Sequence, residues 1–372
     1  MQKNRAYLII SELDEYDGGT IYAKKNLDHF FPGYEVYQIK KKNGILGILN
    51  RIYFSRFFNL FFRIPLMVFV KIAFIKILAP LNVENFKNKK SNSSLNYVIA
   101  FTEDLLSIEI AERISKETHT KFHLITMDFP WTFKNSSINN SVIKKIFESK
   151  LKEIKSAEFV SNQMENIARK KGFDGTSLVS FSAMDLLVDI NVTKKNKFNI
   201  NNFVYTGTPR FKKELKLFYD LFNKENQQNE FKIHVYSGYK FYENIFSHHE
   251  FVKDQKELIE TISEHDMGLI PMSFNDEDME LVSTSFPGKF STYIAAGLPI
   301  LAIAPEYAAI SKVIKKYGVG EVLDLNNPEK INKILEEINL IDYSKNIYSF
   351  RKEIFKSYDD FKKTINCDKN IQ

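Results

Sequence analysis

The sequence predicts an α/β protein made of two doubly wound parallel sheets. Three observations carry this. The chain has 372 residues, too many for one ordinary core and comfortable for two. Short apolar runs alternate with amphipathic stretches, the rhythm of repeated βαβ units. A polar, Asn-rich stretch at 191–201 (NVTKKNKFNIN) interrupts that rhythm, and the same alternation restarts after it. With 44% hydrophobic and 26% charged residues, there is apolar area for both cores.

In the first half, Tyr7 to Ile10 reads as a strand, 11–19 as a loop ending in Asp17-Gly18-Gly19, and 20–30 as a helix. Pro32-Gly33 turns the chain into a strand from Glu35 to Ile39. Helical segments rich in cations and aromatics fill 44–82, and a polar loop follows at Lys87 to Ser94. Tyr97 to Phe101 (strand), 104–117 (helix) and Phe122 to Thr126 (strand) repeat the unit. A loop at 128–140 leads to a helix ending near Lys155, a strand from Glu158 to Val160 and a helix after Ser161. In the second half strands are expected at Phe203 to Tyr205, Phe231 to Tyr236, Met267 to Pro271, Ile300 to Ala304 and Val319 to Leu323. Helices are expected at 209–223, 255–264, 288–296 and 306–317, and after Pro328. The expected domains are 1–190, a linker at 191–201, 202–345, and a basic helical tail at 346–372 that packs back on the first domain. Facing sheets of this kind bind ligands at the C-terminal ends of their strands, in the cleft between them.

The net charge is +6. Residues 40–90 hold eleven Lys or Arg and one acid, Glu84, so this segment carries +10 and the rest about −4. The same segment is dense in aromatics. Its longest uncharged run within the aromatic stretch, Ile64 to Val70, is far short of the ~20 apolar residues a membrane span needs. At 100° per residue, Tyr53, Phe54, Phe57, Leu60, Phe61 and Ile64 share one face, and Arg51, Ser55, Arg56, Asn59 and Arg63 another. That pattern predicts a helix on an anionic membrane surface, with a core helix as the alternative. Nucleic acid is not the expected partner, because the basic residues track an apolar stripe. The one cysteine, Cys367, permits no internal disulfide and points to a reducing cytosol. The apolar run at Ala6 to Ile10 is too short for a signal peptide.

Four segments carry chemistry. In FPGKFSTYIAAGLPILA (286–302), a Pro-Gly turn delivers Lys289 to the start of a helix, where a cation opposes the dipole and calls for an anion. In Asp17-Gly18-Gly19-Thr20, two glycines let backbone N–H groups approach a ligand closely. In Met127-Asp128-Phe129-Pro130-Trp131, a carboxylate follows a strand, and the chain's one Trp offers a face to a sugar ring; a capping Asp and a packing Trp are the alternatives. In Tyr205-Thr206-Gly207-Thr208-Pro209-Arg210, Thr208 and Pro209 suit the N-cap and first turn of a helix, and Arg210 brings a cation to it. Asp276-Glu277-Asp278 spells D-x-D within an acidic loop and is read as solvated, and His248-His249 lacks a partner at metal-ligand spacing. No metal site is expected.

The Gly-Gly loop followed by a helix and Pro32-Gly33-Tyr34-Glu35-Val36, together with 254–323, resembles glycosyltransferase family 4 of GT-B fold. The segment at 286–302 looks like a variant of that family's donor motif with Lys, in the form x-P-S/G-K-x-x-x-Y-hydrophobic-A-x-G-x-P. Many relatives place glutamates eight positions apart here; this chain has Thr284 and Thr292. A His often precedes the Asp of the third segment, and here Met127 stands in its place. The resemblance implies two Rossmann-like domains facing a central cleft and a glycosyltransferase using a nucleoside-diphosphate sugar, UDP-sugar first, with no further cofactor. It implies donor contacts at Gly18, Gly19, Gly207, Arg210, Ser285, Lys289 and Thr292, acceptor contacts at Asp17 and Trp131, and catalytic roles for Asp128, Lys289 and Arg210. The expected reaction is retaining and metal-independent, on a glycan or lipid-linked acceptor of bacterial surface polysaccharide, at the inner face of the cell membrane. A non-catalytic GT-B subunit, a transferase extending protein-linked glycans and a nucleotide-sugar 2-epimerase are the alternatives.

Overall fold

The computed structural model describes residues 6–10, 18–40, 44–55, 67–89, 95–102, 104–132, 137–183, 200–225, 231–327, 331–338 and 340–367. The chain divides into two compact units, Met1–Val179 with Asp360–Gln372, and Ser180–Asp359.

In the first unit the order is β1 (Ala6–Ile10), α1 (Gly18–Phe30), β2 (Glu35–Gln38), α2 (Gly44–Tyr53), α3 (Met67–Lys89), β3 (Tyr97–Phe101), α4 (Leu105–Thr118), β4 (Lys121–Thr126), α5 (Ser137–Lys150), β5 (Ser156–Phe159), α6 (Asn162–Lys170) and β6 (Thr176–Val179). The six strands form one sheet in the order β2-β1-β3-β4-β5-β6, every pairing parallel. β1 and β3 are buried along their whole length, as a parallel sheet covered on both faces requires. The helix α4 starts at Asp104, whose carboxylate accepts from the Ser107 N–H at 2.9 Å and the Ser107 hydroxyl at 2.7 Å. That is an N-cap, which satisfies a donor the helix cannot. A buried polar network ties α1 to the sheet: Glu158 accepts from Asn26, and His123 lies 2.8 Å from the Ser156 hydroxyl and 3.4 Å from Glu158.

In the second unit the order is β7 (Asn202–Thr206), α7 (Lys212–Glu225), β8 (Lys232–Tyr236), β9 (Ser247–His249), α8 (Gln255–Ile262), β10 (Met267–Pro271), α9 (Met279–Thr284), α10 (Lys289–Ala295), β11 (Ile300–Ile303), α11 (Ala309–Tyr317), β12 (Gly320–Leu323) and α12 (Ile331–Ile338). A last helix, α13 (Ser344–Cys367), contributes its residues to Asp359 here and the remainder to the first unit. The sheet order is β12-β11-β10-β7-β8-β9, again all parallel. From β7 the chain winds outward through β8 and β9. It then returns to β10 on the other side of β7 and winds outward again. The switch point of this doubly wound sheet therefore lies between β7 and β10.

The sequence placed a terminal tail at 346–372, but the residues to Asp359 belong to the second unit. The reason is aromatic: Phe350 packs on Phe181, Phe290 and Tyr317, and the Tyr358 hydroxyl donates to the Ser180 carbonyl at 3.3 Å. Beyond Asp359, Phe361 packs on Phe30, and Tyr97 donates to the Ile365 carbonyl at 2.7 Å. The expected linker at 191–201 lies outside the described residues except for its last two. The loop expected from Lys87 is helical as far as Lys89.

Candidate functional site

Ligands of open α/β sheets bind outside the C-terminal ends of the strands at the switch point. In the second unit that point lies at the ends of β7 and β10, and α10 stands against it. Tyr293 of α10 fixes the arrangement. Its hydroxyl accepts from the Thr206 N–H at 3.0 Å, and lies 3.3 Å from the Leu269 carbonyl, to which it donates. The ring lies flat enough on β10 that only glycine fits at position 268: a Cβ there would stand 2.3 Å from the Tyr293 ring. Just beyond β7, Gly207 has φ +81°, with open space where a Cβ would point. Its N–H donates to the Tyr236 carbonyl at 2.9 Å.

Lys289, at the start of α10 and one turn before Tyr293, carries its ammonium to 4.0 Å from the centre of the Tyr205 ring. Tyr205 is 1% exposed, and its hydroxyl donates to the Thr208 carbonyl at 2.6 Å. Desolvation lowers the Lys289 pKa to about 7. Lys289 has no hydrogen-bond or ion-pair partner among the described residues, and desolvation is the cause of its shift, with no carboxylate opposing it. Lys289 keeps part of its side chain exposed beside the open Gly288, so the amine is partly desolvated with no counter-charge, an arrangement that favours an incoming anion. Burial also raises the pKa of Tyr205 and of Tyr293, so both hydroxyls stay protonated and act as fixed donors.

The other expected site residues divide. Gly207 stands at the switch point beside the Tyr205–Lys289 pair. Arg210 is exposed, with its guanidinium 5.5 Å from the Phe211 ring. The helix expected from 209 starts at Lys212, so Thr208 is not its N-cap, and the Arg210 N–H turns back to the Thr208 carbonyl at 2.9 Å. Ser285 closes α9 by donating its N–H to the Leu281 carbonyl at 2.8 Å. Thr292 is 6% exposed, and its hydroxyl accepts from Gln255 at 3.2 Å; it belongs to the packing of α8 on α10.

In the first unit, Gly18 and Gly19 form the first turn of α1 instead of ending a loop. Asp17 lies outside the described residues. Asp128 follows β4, as expected, and its carbonyl accepts from the Thr102 hydroxyl at 3.0 Å. Trp131 is not an acceptor platform. It is 2% exposed, stacked on Phe129 at 4.3 Å, in edge contact with Phe147 and with the Lys144 ammonium 5.1 Å from its ring centre, so it is buried and offers no platform to a sugar. In the acidic loop, Asp276 and Glu277 are exposed, and Asp278 accepts from Ser273 at 2.7 Å. Tyr205 and Tyr293 stand within the segments read from sequence, Tyr293 as the Y of the Lys-containing form, but sequence assigns neither a role. The i, i+4 spacing of Lys289 and Tyr293 was the available signal for Tyr293.

Residues 211–362 match the family model for a glucosyltransferase 3-like, C-terminal domain. Among solved structures, the lipopolysaccharide outer core galactosyltransferase WaaB superposes with a TM-score of 0.57 at 13% identity, over 96% of this chain and 98% of that one. The fold is GT-B. Two further solved structures share the fold. The α,α-trehalose 6-phosphate synthase of Burkholderia multivorans has a TM-score of 0.57 at 8% identity, over 99% and 96% of the two chains. The N-terminal domain of the Candida albicans trehalose-6-phosphate phosphatase has a TM-score of 0.56 at 10% identity, over 99% and 96%. No sequence among curated proteins matches significantly. The glucosyltransferase-like match begins just before α7 and so contains α10 and Lys289, while β7 and Gly207 precede it.

Proposed function

We propose that this GT-B protein transfers a sugar from a nucleoside-diphosphate donor, with Lys289 as the group that meets the diphosphate. The observation that carries the reading is the Lys289 amine, held over the Tyr205 ring without an ion-pair partner among the described residues, at the switch point of the second sheet. In glycosyl transfer the bond between the anomeric carbon and the diphosphate oxygen breaks as an acceptor hydroxyl oxygen bonds to that carbon; negative charge grows on the leaving diphosphate, whose oxygen takes up the hydroxyl proton. A lysine ammonium already held against the diphosphate interacts more strongly as that charge grows, so it stabilises the transition state more than the ground state. Gly207 leaves room for close approach of the donor to the backbone, and Arg210 supplies a second cation from the same strand end. Tyr293 is a positioning residue: it holds β7, β10 and α10 in one geometry.

The donor is read as a UDP-sugar and the acceptor as a glycan or lipid-linked glycan of a bacterial surface polysaccharide. Transfer is read as retaining, which requires no dedicated base; Asp128 is the carboxylate available should a base be needed. The diphosphate's charge is met by Lys289 and Arg210, so turnover should persist in EDTA. The test is release of nucleoside diphosphate from UDP-, GDP-, CDP- and dTDP-sugars by the purified protein. Turnover with one donor, lowered about tenfold or more by Lys289→Ala, supports the reading; that loss corresponds to about 1.4 kcal/mol or more in the barrier. Turnover unchanged by Lys289→Ala removes the residue from the site. No release above background with any donor favours a non-catalytic subunit.

A further inference from the structure

We infer that the outer faces of α2 and α3 form a docking surface for an anionic lipid bilayer. The geometry starts from two buried amides. Asn50 of α2 and Asn82 of α3 are both 0% exposed and exchange hydrogen bonds at 3.1 and 3.2 Å. Asn50 also donates to the Ile39 carbonyl, Asn82 to the Leu78 carbonyl, and the Tyr37 hydroxyl to the Asn82 carbonyl, each at 2.8–3.0 Å. These bonds clamp both helices to the end of β2 and decide which faces turn inward.

The faces left outside are apolar. On α2 they present Ile45, Ile48 and Ile52, which are 78%, 52% and 45% exposed at i, i+3 and i+7. On α3, Phe69, Val70, Ile77 and Leu81 are 41–59% exposed, with Ala73 and Pro80 between them. The inner face of α3 is apolar too, with Val68, Ile75, Leu78, Ala79 and Val83 buried. A helix apolar on both faces is not the pattern of a solvated surface helix. No helix among the described residues is long and apolar enough to cross a membrane, so these helices would lie along a surface.

Charge selects the occupant. Residues 40–90 carry eleven basic residues and one acid, Glu84, which is exposed on α3; among the described cations Lys71 lies over the Tyr53 ring and Lys87 pairs with Glu117. Arg51 and Lys76 are exposed beside the apolar rows. A second copy of this chain would set Arg51 and Lys76 against like charges within a segment of net charge +10, whereas anionic headgroups complement them. Tyr53, expected on the membrane-facing side, is 1% exposed and belongs to the core, and Phe57, Leu60, Phe61 and Ile64 lie outside the described residues. The face is therefore a different one from that suggested by periodicity.

The experiment is co-sedimentation of the full chain with phosphatidylcholine vesicles, with and without phosphatidylglycerol. Binding should require the anionic lipid and weaken with salt. Ile45→Ser/Ile48→Ser/Ile52→Ser and, separately, Phe69→Ser/Ile77→Ser/Leu81→Ser should each lower binding about tenfold or more with unchanged thermal melting, because the side chains are already exposed. Arg51→Gln/Lys76→Gln should lower it by about fivefold per charge removed. Equal binding to neutral vesicles, undiminished binding by both triple variants, or a lipid-free dimer abolished by the same substitutions would each overturn the inference. The assay contains no sugar donor, so its failure leaves the proposed transfer reaction standing.

Discussion

Raising the pH from about 7 to about 9 should weaken nucleoside-diphosphate binding, with Lys289 as the cause. In the free protein, desolvation holds the Lys289 pKa at about 7. A diphosphate beside the amine favours the ammonium and moves the pKa back up. The protonated form therefore binds, and affinity follows the fraction of Lys289 protonated in the free protein. With a bound-state pKa well above 9, that fraction and the affinity fall about 50-fold between pH 7 and pH 9. The second ionisation of a terminal phosphate, near pH 6, is complete across this range and adds little slope. Titration calorimetry in two buffers of different ionisation enthalpy measures both the affinity and the proton uptake, which should approach one per site above about pH 8. Lys289→Arg keeps its charge and should bind with a flat pH profile. Lys289→Met should lose affinity near pH 7 and converge on the wild type near pH 9. An unchanged wild-type affinity, or the same slope in Lys289→Met, would refute the assignment. Linkage adds a check without ligand. The unfolded chain holds this proton with the ordinary lysine pKa of 10.5, so this group should make the free protein more stable as pH rises from about 7 towards 10.5.

Three other perturbations read the packing around the site. Tyr293→Phe removes the acceptor of the Thr206 N–H and should cost about 1–3 kcal/mol in urea unfolding while leaving the fold intact. Gly268→Ala drives a Cβ into the Tyr293 ring and should cost about 1–3 kcal/mol or more; a Tyr293→Ala background should relieve most of that, which a double-mutant cycle measures. On β8, one strand in from the sheet edge, desolvation together with His265, His249 and Lys232 lowers the His234 pKa to about 4. The unfolded chain then binds the proton more tightly, so the contribution of His234 to stability is lost as pH falls from about 6.5 to about 4. His234→Gln should flatten the thermal midpoint across that window, and an unchanged slope would remove His234 as its cause.

What was legible in the sequence follows from where the physics is local. The strands at Tyr97–Phe101 and Met267–Pro271 match the sequence expectation to the residue, because a strand buried on both faces is an unbroken apolar run bounded by polar turns. Thr176–Val179 and Ser247–His249 carry no such signal. Both are edge strands with half-exposed or polar residues, and pairing on one side asks little of their composition. Lys289 was legible as a cation at a helix start. Its meaning depends on Tyr205, far away in sequence and brought beneath it by the crossover from β7 to β10, and no local pattern reports that a lysine is desolvated. Trp131 failed for the opposite reason: its position after a strand suited a ligand platform, but Phe129 and Phe147 claim both the ring's face and its edge.

The α2 face shows the limit most sharply. Periodicity groups residues on a common side of a helix, but it does not say which side turns inward. The usual rule assigns the apolar side to the core. On α2 the polar Asn50 faces inward and three isoleucines face out, because an amide 32 positions further on, Asn82, offers the matching donor and acceptor. A buried amide left unpaired would cost more than an exposed isoleucine does. The pairing therefore overrides the hydrophobic pattern, and it does so by leaving apolar surface outside, beside Arg51 and Lys76.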